Sequence, residues 1–238
     1  MCTPCPVDTY SEGDSMKTIH VGSFDELHQV FSNYRAQGVW IFRGQGKIDW
    51  PLLPKAGRQP YAAGSDEQYF AEWKRRAVEF TELSFKDEWD WLAIAQHYGL
   101  ATRLLDWTYN PLAAAFFAVE WEERGDAVIY AYYKETEIDT ATVSPFSVSG
   151  ITKVKPKGLL QRITRQSGIF TIHNPPRLCL TEATHGSDRL EAIVISEDYR
   201  QRLLAELSYY GINRLTLFPD LDGLSRHINW YMTQDKGM

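Results

Sequence analysis

Gln96-His97-Tyr98-Gly99-Leu100-Ala101-Thr102-Arg103-Leu104-Leu105-Asp106-Trp107-Thr108-Tyr109-Asn110-Pro111 is the stretch on which the reading of this chain turns. It holds a helix stop and a helix start. Gly99 supplies the left-handed cap for a helix beginning at Glu88, and Asn110-Pro111 forms the N-cap and first turn of a helix that runs through Arg124 to Gly125. Between them, polar and charged side chains thread through apolar ones. Leu100, Leu104, Leu105 and Trp107 seek burial and draw Arg103 and Asp106 inside with them. A buried charge persists only when paired. Either Arg103 and Asp106 form an internal ion pair, or Arg103 or His97 faces a pocket. The helix opened by Asn110 presents free backbone N–H groups and a positive dipole end, a ready anion site. Thr102 and Thr108 add hydroxyls, and an arginine there could grip a pyrophosphate through paired hydrogen bonds.

Towards the N-terminus, Ser23 and Glu26 make a capping box for a helix with Phe24, Leu27, Phe31 and Tyr34 on one face, ending at Gly38. Val39 to Phe42 reads as a strand that stops at Arg43-Gly44. An arginine just past a strand and followed by glycine can be held rigidly while the backbone approaches a ligand closely. Residues 44–64, with Pro51, Pro54 and Pro60, read as a long loop, and Ser65 with Gln68 opens a helix carrying Tyr69, Phe70, Trp73, Ala77 and Phe80.

Towards the C-terminus the chain becomes β-rich, with strands at Ala127–Tyr133, Ile169–His173 and Ala192–Ile195. Residues 140–160 read as loop, and Ser196 caps a helix from Glu197 to Tyr210 that stops at Gly211. Arg214–Phe218 reads as a last strand. Helices come early, strands late, and no regular βαβ alternation is present, so the expected fold is α+β with a mostly antiparallel sheet. Arg162, Arg165 and Gln166 lead into a strand and are either a solvated loop or part of a pocket. Asp220 and Asp222 suit a turn better than a metal, because two carboxylates alone are a poor ligand set. Cys179, between two leucines, reads as core.

The chain has 238 residues, 44% of them hydrophobic and 13% aromatic, which is enough for a large core and excludes global disorder. Thirty-one acidic against 25 basic side chains give a net charge of −6, which argues against nucleic-acid binding by bulk electrostatics. No apolar run reaches the length of a membrane span. Residues 1–17 read as a flexible polar tail without a signal peptide, and Cys2 and Cys5 lack further zinc ligands nearby. The expectation is a cytoplasmic protein with one domain over residues 18–238, no membrane partner and no metal. No P-loop, dinucleotide fingerprint, nucleophile elbow or zinc-protease helix is present.

Taken together, these segments resemble the FRG domain, named for its Phe-Arg-Gly motif. The resemblance rests on Phe42-Arg43-Gly44, Gln96-His97-Tyr98-Gly99, Thr102 through Thr108, Asn110-Pro111-Leu112 and Phe116-Phe117-Ala118. It continues through Arg162, Gln166, Gly168-Ile169-Phe170 and Leu217 to Gly223, with Ala101 standing where the family often has proline. It implies a single domain over most of the chain but carries no activity of its own.

The order of parts is also similar to that of ADP-ribosyltransferases. That similarity implies a split sheet and NAD as substrate. Arg43, Gly44, Arg103 and Arg162 would hold the phosphates with Asn110. Thr102, Thr108 and His97 would place the ribose, and Asp106 would orient Arg103. Tyr98, Trp107 or Phe117 would stack on a ring, and Gln166 or Glu191 would act at the reacting carbon. A macromolecular acceptor and a role as a toxin or antiviral defence effector go with this reading. The alternatives are a non-catalytic module that binds a nucleotide or phosphate ligand, and a nuclease toxin with a metal at Asp220 and Asp222.

Overall fold

The computed structural model describes residues 16–35, 39–80, 87–121, 123–155, 165–184 and 186–234. Their centre is one seven-stranded sheet, formed by β1 (Lys17–Val21), β2 (Trp40–Gln45), β3 (Leu104–Thr108), β4 (Ala127–Tyr133), β5 (Gly150–Val154), β6 (Gly168–Asn174) and β7 (Arg189–Ile195). The spatial order is β1-β7-β4-β2-β3-β6-β5. β1 runs parallel to β7, and the other neighbouring strands pair antiparallel. The fold is therefore α+β with a mostly antiparallel sheet. β2 and β4 pair over six residues and β3 and β6 over five, whereas β2 and β3 meet at a single pair, Phe42 with Thr108.

Eight α-helices accompany the sheet among the described residues: α1 (Phe24–Asn33), α2 (Asp66–Ala77), α3 (Glu88–His97), α4 (Pro111–Val119), α5 (Leu180–Ala183), α6 (Glu197–Tyr209), α7 (Arg214–Leu217) and α8 (Leu221–Gln234). Ser23, Ser65 and Asp87 cap α1, α2 and α3 by accepting from the backbone amides of Glu26, Gln68 and Asp90. Gly99, at φ +89°, ends α3 as its spacing predicts. Among the described residues, no helix is long and apolar enough to cross a membrane.

Strand alternation sorts the core into two faces. On one face, α1, α4 and α6 cover β1, β7, β4 and β2 through Leu27, Phe31, Ala114, Phe116, Leu203 and their neighbours. The same face of β3, β6 and β5 is covered by α2 and α3, with Phe70, Leu92 and Ala95 against Leu104, Phe170 and Ile172. On the opposite face Ile41, Leu105, Trp107, Tyr130 and Tyr132 pack against Leu52, Cys179 and Leu180. Cys179 is thus a core residue.

Several local expectations change. The α4 helix ends at Val119 rather than Arg124, because the main-chain oxygens of Trp121 and Gly125 accept from the buried Arg200 guanidinium. Arg214–Leu217 is a helical turn, not a strand, since Asn213 and Thr216 close a reciprocal capping box around it. Residues 140–160 contain β5, whose Gly150–Val154 pair with β6. Lys17, expected in the tail, begins β1 and pairs with Glu191. Asp220 accepts from the amide of Gly223 at the start of α8.

Candidate functional site

Where β2 and β3 part, a cavity of about 690 Å³ opens. By alternation from the Phe42–Thr108 pair, Asp106 shares a face with Phe42, and Arg43 lies on the other. Both nevertheless line the cavity, which is reached from both sides of the seam. Arg43 donates from Nη1 to the main-chain oxygen of Asp106 at 2.7 Å and from Nε to Gln45 Oε1 at 3.1 Å. Gln45 is buried and donates to the main-chain oxygen of Trp50 at 2.8 Å, which ties the arginine to the loop beyond β2.

A second cation stands beside it. Arg58 donates from Nε and Nη2 to the main-chain oxygen of Leu53, at 2.9 and 2.6 Å. Burial pulls the Arg43 guanidinium down to about 10; Asp106 opposes that fall and the charge of Arg58 adds to it. Arg43 still carries its charge at neutral pH. Burial lowers Arg58 as well, again against the pull of Asp106. Two fixed guanidinium groups around one carboxylate leave an excess of positive charge at this end of the cavity.

Gly44 explains how the helix and strand come so close here. A Cβ on it would lie 2.0 Å from the main-chain oxygen of Ala114 and 2.4 Å from the amide of Ala118, so α4 rests directly on β2. This contact places Phe117, Glu120 and Trp121 along the cavity wall. Residues 38–127 match the FRG domain family. The chain carries an FRG domain. No curated protein and no solved structure matches it.

The FRG match supplies β2, α3, β3 and α4, and so Arg43, Asp106 and Glu120; the chain that follows it adds Gln166, Arg214 and Phe218 to the cavity. The carboxylate of Asp106 is exposed and accepts from Gln96 Nε2 at 2.9 Å, while Gln96 Oε1 accepts from the hydroxyl of buried Thr102. Thr102 therefore acts on the cavity through Gln96. Opposite, Glu120 pairs with Arg214, whose guanidinium lies 4.7 Å over the Phe218 ring. Trp50 and Trp121 meet edge to face at 6.2 Å, so aromatic surface flanks the cations.

Of the residues singled out in the sequence, the structure brings Arg43, Gly44, His97, Asp106, Trp107, Thr108, Phe117 and Gln166 to the cavity. The Thr108 hydroxyl donates to the main-chain oxygen of Gln166 at 2.6 Å, and the Gln166 side chain donates to that of Leu217 at 3.1 Å. Several others lie elsewhere. Arg103 pairs not with Asp106 but with Asp66, through two bonds of 2.8 Å, and lies over Phe146 away from the cavity. Asn110 accepts from the amides of Leu112 and Ala113, so the end of α4 is closed by its own cap, and Asn110 does not line the cavity. Tyr98 is 72% exposed outside it. Glu191 sits on β7, two strands from β2, and binds Lys17 and the Tyr34 hydroxyl. Arg162 lies outside the described residues.

Arg58, Glu120, Arg214, Trp50 and Trp121 escape the sequence reading. Glu120 and Trp121 could have been found, since they follow Phe116 and Phe117 by one helical turn. Arg58 sits in a proline-rich loop with no periodicity to betray it.

Trp107 connects the cavity to the opposite face. Its Nε1 donates to Thr171 Oγ1 at 3.0 Å, and Thr171 lies 3.0 Å from His173 Nε2. His173 Nδ1 lies 2.8 Å from the main-chain oxygen of Leu178, which can only accept, so Nδ1 carries the proton and Nε2 accepts from Thr171. Burial drops the imidazole to about 4, against the bond to Leu178 and helped by the charge of Arg43. Asp220 caps α8 and Asp222 pairs with Arg226, so neither carboxylate is directed to a shared site. Among the described residues, no group of three His, Cys, Asp or Glu side chains is placed to hold a metal.

Proposed function

We propose that the cavity binds NAD and that the protein cleaves it, transferring ADP-ribose to an acceptor. The observation that carries this reading is the pair Arg43 and Arg58, held at the parting of β2 and β3 in a cavity that also has aromatic walls. Two fixed cations suit a pyrophosphate. Trp50, Trp121 and Phe117 offer faces for the rings. The volume of 690 Å³ falls within the range of about 300–1,000 Å³ usual for small-molecule sites. The single pair joining the two halves of the sheet also supports a split sheet of the ADP-ribosyltransferase kind.

In this reading Asp106 takes the place first given to Gln166 or Glu191. The bond from ribose C1′ to nicotinamide breaks, and its electron pair leaves on the nicotinamide nitrogen. The positive charge that develops on the ribose faces the Asp106 carboxylate. The acceptor nucleophile then bonds to C1′ and gives its proton to Asp106. Gln96, itself held by Thr102, fixes the carboxylate.

A second reading, a binding module without turnover, is favoured by one observation: the Asp106 and Glu120 carboxylates are both already engaged, by Gln96 and Arg214. One experiment separates the two. Labelled NAD is incubated with the purified chain, with Asp106→Asn and with Arg43→Ala, and melting temperatures are recorded with and without NAD. The enzyme reading expects NAD to raise the melting temperature of the first two and nicotinamide release by the first alone. A rise without release selects the binding module. No rise with the unaltered chain overturns the transferase reading.

A further inference from the structure

Four buried side-chain polar atoms lack a hydrogen-bond partner among the described residues, and three of them belong to the wall of one other cavity. That cavity, of about 340 Å³, lies between α6 and α8. The three atoms are Ser208 Oγ on α6, Arg214 Nε on α7 and Trp230 Nε1 on α8. Native proteins rarely leave buried donors unmet, and here three separate elements each bring a residue with one to the lining of the same cavity.

We propose that this cavity is a second ligand site, for a small carboxylate with an apolar flank. A hydroxyl, a guanidinium N–H and an indole N–H can all donate, so the missing partner is an acceptor. Glu120 stands in the same wall and holds Arg214 through Nη1; with Arg226 also in the wall, the lining keeps one positive charge in excess, which suits a monoanion and opposes a dianion such as a phosphate ester. Phe116, Leu204 and the Trp230 ring line the remainder, and His227 stacks on Trp230 at 6.1 Å. The site shares Glu120 and Arg214 with the larger cavity, so its occupant sits against the wall of the first.

The test titrates the full chain with benzoate and hexanoate, with benzyl alcohol as the uncharged control. Calorimetry gives affinity and thermal melting gives stability, for the unaltered chain, Trp230→Phe and Ser208→Ala. Both carboxylates are expected to bind and raise the melting temperature, and the alcohol to do neither. Each substitution is expected to weaken binding at least fivefold. Without ligand, each should leave the melting temperature unchanged or raised, because the donor removed had no partner. Absence of carboxylate binding, affinity unchanged in both variants, or a lower melting temperature in both free variants would each overturn the proposal.

Discussion

Arg43 Nη1 and the main-chain oxygen of Asp106 are 2.7 Å apart, across the one place where the two halves of the sheet are joined by a single residue pair. Beyond the Phe42–Thr108 pair no ladder bond from β2 reaches that oxygen, and the guanidinium donates to it instead. A side chain thus supplies a bond that backbone supplies elsewhere in the sheet. Arg43 has two duties, because the group that faces the cavity also satisfies β3. Arg43→Ala leaves the oxygen of Asp106 without its donor and should cost about 1–3 kcal/mol by urea denaturation. A variant as stable as the original would show that this bond contributes nothing.

Gly44→Ala tests the contact between α4 and β2. The added methyl would meet backbone at 2.0 Å, and helix backbone cannot step aside as a flexible side chain can. Overpacking of this kind costs about 1–3 kcal/mol. The expected result is a lower denaturation midpoint with an unchanged slope. Unaltered stability would mean that the helix shifts without penalty.

Arg103→Met removes a buried cation and strands Asp66. The loss should be about 3–5 kcal/mol, and the double variant with Asp66→Leu should recover much of it. Ligand binding by the folded fraction should be unchanged, because Arg103 lies outside the cavity. A loss of ligand affinity without a loss of stability would contradict that placement.

His173 fixes a pH dependence. Its folded value of about 4 lies below the 6.5 of an unperturbed histidine, so between the two the unfolded chain takes up a proton that the native chain refuses. The stability this contributes is complete above about pH 6.5 and is lost as the pH falls towards 4. At 1.36 kcal/mol per unit the loss is about 3 kcal/mol. Burial shifts His227 in the same direction, and it adds to the slope. Urea denaturation at about pH 7 and about pH 5 should show the fall, and His173→Gln should reduce it. An equal fall in that variant would assign the slope elsewhere.

Helices α1 to α4 and α6, and strands β2, β4, β6 and β7, were legible because their signals are local, whereas β3, α5, α7 and α8 were not read as such. Ser23, Ser65, Asn110-Pro111 and Gly99 mark ends by hydrogen bonding or backbone conformation, and the runs at Ala127–Tyr133 and Ala192–Ile195 are too apolar to lie outside a core. β1 and β5 were not legible. Both are edge strands with polar residues among their five, and only pairing with β7 and β6 makes them strands. At the site, Arg43 and Asp106 were visible as charges amid apolar neighbours. The partner of Arg103 was not, because Asp66 is 37 residues away in the chain and looks like the first residue of a solvated helix.

The Phe42–Thr108 pair also governs how the molecule can deform. A continuous ladder resists shear and bending because many bonds would have to break together. Here, in the sheet's own hydrogen bonding, the four strands on one side and the three on the other are joined by one residue pair and the Arg43 clamp. The gap between them is where the ladder offers least resistance to deformation. An occupant that bridges Arg43 and Asp106 would stiffen it, so slower amide exchange along β2 and β3 would be its mechanical signature.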